Sequence, residues 1–125
     1  MTIYALSSGS GISGIAVIRV SGSETKKVIK VLTNGSFPKA RLATIKKINK
    51  INTNELIDEG IIIWFPAPES YTGEDMLELH VHGSRAVIES IHKSISEIEN
   101  CRLAEPGEFT KIAFQNSKIN LLKAE

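Results

Sequence analysis

The segment from Tyr71 to Gly83, Tyr-Thr-Gly-Glu-Asp-Met-Leu-Glu-Leu-His-Val-His-Gly, constrains this chain more than any other. Turn-forming residues pass there straight into an alternating run. Successive side chains of a strand point to opposite faces, so Leu77, Leu79 and Val81 share one face and Glu78, His80 and His82 the other. The apolar face has to be buried in a core. Its opposite face then offers a carboxylate and two imidazoles in a row, closed by Gly83, and that row is a candidate binding surface.

The flanking segments indicate what surrounds this strand. Ile3 to Leu6 is a short apolar run, and Ile15 to Val20 is apolar on both faces, the pattern of a central strand covered on both sides. Arg19 interrupts the second run. A guanidinium there cannot shed its charge, so it sits at a mouth or is paired with a carboxylate, from the protein or from a ligand. Between the two runs, Ser7 to Gly14 holds three glycines and four serines. It lacks the Lys-Ser or Lys-Thr of a P-loop and leads into a strand rather than a helix, so it reads as a connection, not a nucleotide cradle.

Ser21-Gly22-Ser23 offers capping residues for a helix from Glu24 to Thr33, stopped by Asn34-Gly35. Arg41 to Ile51 reads as a strand, and Asn52-Thr53-Asn54 as a turn into Ile61 to Phe65, a buried strand that completes a hairpin. After Gly83, Val87, Ile88, Ile91, Ile95 and Ile98 recur at helical spacing, with His92 expected on the surface. Arg102 to Ala104 is a brief strand. A short helix holding Phe109, Ile112, Ala113 and Phe114 is expected to break at Asn116-Ser117-Lys118, and a new one to start at Ile119 and stop while still amphipathic, as in a piece of a longer chain. The expected fold is α/β of the α+β type: a two-layer sandwich with a mixed five- or six-stranded sheet and two or three helices.

At 125 residues the chain suits one domain with a real core. Fifteen basic and fourteen acidic residues give a net charge of +1, which excludes a global field drawing it onto nucleic acid or membrane. The single Cys101 cannot form an internal disulfide and reads as a small core residue. No basic region with a following apolar run opens the chain, and no apolar run approaches the roughly 20 residues needed to span a bilayer. A cytoplasmic setting without membrane contact is expected.

Three chemistries remain open on these residues. Glu78, His80 and His82 are alternate strand residues that can point at one metal ion, given a further ligand from elsewhere. Alternatively, Glu78 and Arg19 bring opposite charges to neighbouring strands of a small-ligand pocket, where a carboxylate can accept two parallel bonds from an amidine-like ring edge such as a pterin. The plain alternative is a polar strand face covered by a helix or a partner subunit.

Gly14 to Gly22, then Phe65 to Gly83, then Pro106-Gly107-Glu108-Phe109-Thr110 with Ala113-Phe114 and Asn116-Ser117-Lys118, resemble the N-terminal domain of the tRNA modification GTPase family MnmE, also called TrmE. The resemblance implies a fold similar to the folate-binding domain of aminomethyltransferases, spanning residues 1–118, with 119–125 beginning a helical domain. It implies a homodimer that binds formyl- or methylene-tetrahydrofolate, with Arg19, Glu78 and Lys118 at the positions of the family's folate contacts. Glu78 would take the pterin edge, and the two cations the acidic or carbonyl groups. The whole enzymes of the family carry a GTPase domain using GTP, magnesium and potassium, and with the flavoprotein MnmG they build an aminomethyl-type group on the wobble uridine of tRNA. This chain has no Gly-x-x-x-x-Gly-Lys-Ser/Thr, so these residues cannot hydrolyse GTP by themselves. It departs from the family's usual pattern in its first loop, at Ser84, Ser117, Asn120 and Lys123.

Overall fold

The computed structural model describes residues 1–7 and 14–124, the last seven of these by backbone alone. The expected serine and glycine connection therefore lies, for residues 8–13, outside the described residues. In chain order the elements are β1 (Thr2–Leu6), β2 (Ile15–Ser21), α1 (Thr25–Leu32), β3 (Thr44–Asn49), β4 (Leu56–Phe65), β5 (Met76–His82), α2 (Arg85–Ser96), β6 (Cys101–Leu103) and α3 (Glu108–Ala124).

The strands form one mixed sheet in the order β3-β4-β5-β2-β1-β6, antiparallel throughout except for the parallel pair of β1 with β6. With the helices it makes the α/β two-layer sandwich expected. The helices α1 and α2 lie on one face. Val28, Ile29 and Leu32 from α1, and Ile91 and Ile95 from α2, join Ile18, Val20, Ile62, Trp64, Leu77 and Leu79 in a single core cluster. Each such side chain contributes about 1.5–3 kcal/mol by leaving water. This is the face to which the alternation of β5 assigned Leu77, Leu79 and Val81.

The opposite face is where two expectations fail. In β2 only Ala16, Ile18 and Val20 are deeply buried among the residues from 15 to 20, and Ile15 is 59% exposed. In β4, Ile62 and Trp64 are buried whereas Ile61 is 39% exposed. Both strands lie inside the sheet, and among the described residues the helices α1 and α2 cover them on one side. A continuous apolar run means burial on two sides only when a second layer is present, and here Val17, Arg19 and Ile63 on that face are only half-buried.

Local chemistry explains the other departures. Ser21 and Ser23 do not cap α1; the Glu24 N–H donates instead to Thr2 Oγ1 at 2.7 Å. At its other end the Gly35 N–H returns to the Lys30 carbonyl at 2.9 Å, the stop that Asn34-Gly35 announces. Strand β3 begins only at Thr44, because Arg41 adopts φ 65° and its guanidinium bonds the carbonyls of Pro66 and Glu69. Ser84 caps α2, accepting from the Val87 N–H at 3.1 Å. Helix α3 runs through Asn116, Ser117 and Lys118 without a break. Asn and Ser cost only a fraction of a kcal/mol in a helix interior, against about 3 for proline, and packing overrides that. His92 is half-buried, its ring 5.3 Å from that of Tyr4 in an edge-on contact and its Nε2 buried with no hydrogen-bond partner, so it is no surface residue. Cys101 packs against the core from its rim, and burial pushes its thiol up.

Candidate functional site

On the open face the sheet register sets Ile63, Glu78, Arg19 and Ala5 in one row across β4, β5, β2 and β1. Arg19 and Glu78 are direct cross-strand partners. Arg19 Nε donates to Glu78 Oε2 at 3.3 Å, and His80 Nε2 lies 3.0 Å from the other oxygen, Oε1. The side chains of Arg19 and Glu78 keep 35% and 20% exposure, so the pair is reachable from solvent while partly desolvated. A carboxylate offers about four lone-pair sites. With one contact on each oxygen, Glu78 retains acceptor capacity on both, held in place by a cation and an imidazole.

A strap from Pro66 to Asp75 closes one end of this face. It is fastened to β2 and α1: Ser21 Oγ lies 2.8 Å from Thr72 Oγ1 and donates to Glu74 Oε1 at 2.9 Å, and the Asp75 carbonyl accepts from the Gly22 N–H and from Thr25 Oγ1 of α1, both at 3.0 Å. Its middle is fastened to α3. Tyr71 Oη is 3.0 Å from Thr110 Oγ1, and Asn116 Nδ2 donates to the Thr72 carbonyl. The Tyr71 ring in turn has the Arg19 guanidinium carbon 5.5 Å from its centroid, within cation–π range.

His82, the second imidazole beside Glu78 on β5, diverges. Strand β4 leaves β5 beyond the Ile61–His80 pair, and the Asp58 carboxylate fills the gap, accepting from the His82 N–H and from the ring Nδ1, both at 2.8 Å. Partial burial pushes the Asp58 carboxyl up, but the bonds from His82 and from the Glu59 backbone outweigh it and hold the group below its ordinary value. Gly60 belongs to this junction: a Cβ there would meet the His80 carbonyl oxygen at 2.4 Å. Glu78 and His80 are thus engaged with each other and His82 with Asp58. Among the described residues no three His, Cys, Asp or Glu side chains are grouped to hold a metal ion.

Two clefts elsewhere are lined by other residues. One of about 480 Å³ lies between α2 and the β3–β4 turn, around Lys50, Glu89, Lys93 and Glu97. The other, about 330 Å³, lies at the start of α3 around Glu105, Glu108 and Lys111. Their charges are mixed in sign, and neither contains Arg19 or Glu78.

The family described as "GTP-binding protein TrmE N-terminus" matches residues 2–118. The chain belongs to that family. It is 75% identical over 125 residues to the tRNA modification GTPase MnmE of Pelagibacter ubique (strain HTCC1062), an alignment that takes in all of this chain and 28% of that protein. It is 47% identical over 124 residues to the MnmE of Zymomonas mobilis, covering 99% of this chain and 29% of the relative. Over 130 residues it is 48% identical to the mitochondrial tRNA modification GTPase gtpbp3 of Dictyostelium discoideum, covering 99% of this chain and 25% of that protein. The chain therefore spans less than a third of the length of these relatives.

Within this TrmE N-terminal fold, two of the three residues expected in the site, Arg19 and Glu78, stand side by side, while the Lys118 side chain lies outside the described residues. Sequence reasoning missed Asn116, read as a helix breaker, and the Tyr71 ring beside Arg19. A signal for the first was present. Phe109, Ile112, Ala113 and Asn116 follow the spacing of one helix face, so Asn116 is a polar residue on an inward stripe.

Proposed function

We propose that this chain is the folate-binding and dimerising N-terminal module of a tRNA modification GTPase. The observation that carries the reading is the Arg19–Glu78 pair on the open sheet face, in a chain of the TrmE N-terminal family. The chemistry fits a reduced folate. Glu78 keeps lone pairs for the amidine-like edge of a pterin, Ile63 beside it offers apolar area to the ring, and Arg19 supplies a cation for acidic or carbonyl groups. Lys118 is the second cation of this reading. Formyl- or methylene-tetrahydrofolate, when bound, would supply a one-carbon unit. Arg19 and His80 hold the Glu78 carboxylate in the orientation that receives the pterin edge, and the sheet row holds both at fixed spacing.

The wider context follows the names of the relatives, which are tRNA modification GTPases. Residues 1–118 form the module and 119–125 begin a helical domain, with the GTPase part, its GTP, magnesium and potassium, elsewhere in the protein. The protein works in the cytoplasm with the flavoprotein MnmG on the wobble uridine of tRNA. No helix among the described residues is long and apolar enough to cross a membrane. The homodimer of this reading uses the exposed apolar row of the open face, where Ile45 is 71% exposed beside its cross-strand partner Ile61.

Calorimetric titration with formyl-tetrahydrofolate, on wild type and on Glu78→Gln, tests the ligand. Saturable binding that the variant weakens by tenfold to a hundredfold is expected, the usual worth of hydrogen bonds to a charged group being about 1.5–3 kcal/mol. Equal affinity in the two proteins removes Glu78 from the site. Binding by neither, with an intact dimer, favours a scaffold that carries no folate.

A further inference from the structure

The strap over the open face is held from two sides, and only one belongs to the sheet that carries the site. Its Glu74–Asp75 end is bonded to β2 and α1, as described, and those contacts stay whatever α3 does. Its Tyr71–Gly73 middle meets both sides: Thr72 Oγ1 is 2.8 Å from Ser21 Oγ of β2, while the Tyr71 hydroxyl and the Thr72 carbonyl meet α3. Asn116 Nδ2 donates to the Thr72 carbonyl, and Thr110 meets the Tyr71 hydroxyl. Gly73, at φ 81°, brings its backbone so close that a Cβ there would stand 3.1 Å from the Asn116 side chain. Backbone in this left-handed region is open to glycine and strained for other residues. The strap is therefore shaped to receive that one amide. Asn116 occupies the inward stripe of α3, half-buried, and its amide donates there to the strap.

On the strap's other side, the Tyr71 ring lies beside the Arg19 guanidinium, whose Nε is already committed to Glu78. The guanidinium plane is set by two neighbours, a carboxylate on β5 and a ring on the strap. Of these, the ring carries a hydroxyl 3.0 Å from Thr110 Oγ1 of α3. Its orientation follows from Thr110 on one side and from Thr72 on the other, where Ser21 holds the side chain and Asn116 the peptide carbonyl.

We infer that Asn116 is a positioning residue for Arg19: by clamping the strap to α3 it sets the Tyr71 ring, and the ring sets the guanidinium that would face a folate's acidic or carbonyl groups. The ligand part of this inference rests on the folate reading above; the clamp itself does not. Any movement of α3 would reach Arg19 by this route, which makes the helix a lever on the site without touching the ligand through Asn116.

Asn116→Asp tests it, since the aspartate keeps the shape and loses the donor. Nitrogen–proton spectra of the 125-residue chain follow the Arg19 Nε–H, whose proton should carry a ring shift from Tyr71. Tyr71→Leu defines the signal without the ring, and Tyr71→Phe keeps the ring while losing the Thr110 bond. The expected result is that Asn116→Asp moves the Arg19 signal toward its Tyr71→Leu position, with amide exchange accelerated at residues 71–73 and unchanged in β5. Affinity for formyl-tetrahydrofolate should fall about tenfold, the loss of roughly one hydrogen bond's worth of order. An Arg19 signal unmoved in Asn116→Asp, while Tyr71→Leu shifts it, overturns the inference whatever the folate result. A signal that moves in a protein whose wild type binds no folate upholds the clamp and sinks the folate reading alone. Should Asn116→Asp fail to fold, Asn116→Gln, which keeps the amide but displaces it by one methylene, gives the same spectral comparison.

Discussion

The two faces of this sheet are built from the same strands, and β2 and β4 bring apolar residues to both, yet the faces serve different ends. On one, Ile18, Val20, Leu77, Leu79 and Ile62 meet α1 and α2 and are sealed from water. On the other, Arg19, Glu78 and His80 form a bonded row flanked by Ile15, Ile61 and Ile45, which stay exposed. Residue type does not separate them: both hold isoleucines. What separates them, among the described residues, is the second layer, which α1 and α2 supply to one face, while the strap and α3 reach only part of the other. Apolar area left in water beside a charged pair is area for something else to cover, and the proposed folate and second subunit are assigned there on that ground.

The sharpest way to break the comparison is to exchange a residue on each face and compare the losses. Leu79→Ala on the closed face opens a cavity in a fully buried cluster and should cost about 2–5 kcal/mol, or about 10–20 °C in melting temperature. Ile45→Lys on the open face should change stability by no more than about 0.5 kcal/mol, as surface substitutions do. Its effect is on association instead. Light scattering at tens of micromolar protein should show a dimer for wild type and a monomer for Ile45→Lys. A monomeric wild type would remove the dimer from the open face, and a Leu79→Ala loss as small as that of Ile45→Lys would erase the distinction between the faces.

The same contrast explains what the sequence disclosed. Strand β5 was legible because its alternation is one-sided: the apolar residues of one parity and the polar ones of the other leave a single way to bury it. Strands β2 and β4 were legible as strands but not as one-sided, since an apolar run carries no record of whether a second layer exists. The adjacency of Arg19 and Glu78 could be suspected from their chemistry, but the pairing depends on register, and register is fixed by long-range contacts that no local pattern displays. Asn116 and His92 were misjudged for one shared reason. Each sits on the inward stripe of its helix by spacing, Asn116 with Phe109 and Ile112, His92 with Ile88 and Ile95, and a polar residue on such a stripe was read by its type rather than by its place.

His92 supplies the smallest test, and it belongs to the closed face. Its Nε2 is buried without a partner, and burial holds the imidazole below its ordinary value, so the folded state resists the proton that the unfolded chain accepts. The sign follows from linkage. The unfolded chain binds the proton first, so stability is whole above the unfolded value of about 6.5, and it drains as the pH falls through that value toward the lower folded one. His92→Phe keeps an edge-on ring beside Tyr4 and has nothing to protonate. Between pH 7.5 and pH 5 the melting temperature of wild type should therefore fall about 1–2 °C further than that of the variant, a shift within reach of paired scans. Equal slopes would mean that water reaches the ring and that the closed face is not sealed at α2. A variant more stable than wild type at pH 7.5 as well would show that the unpartnered nitrogen costs stability even when neutral, because an apolar ring in the same place leaves no polar atom unsatisfied.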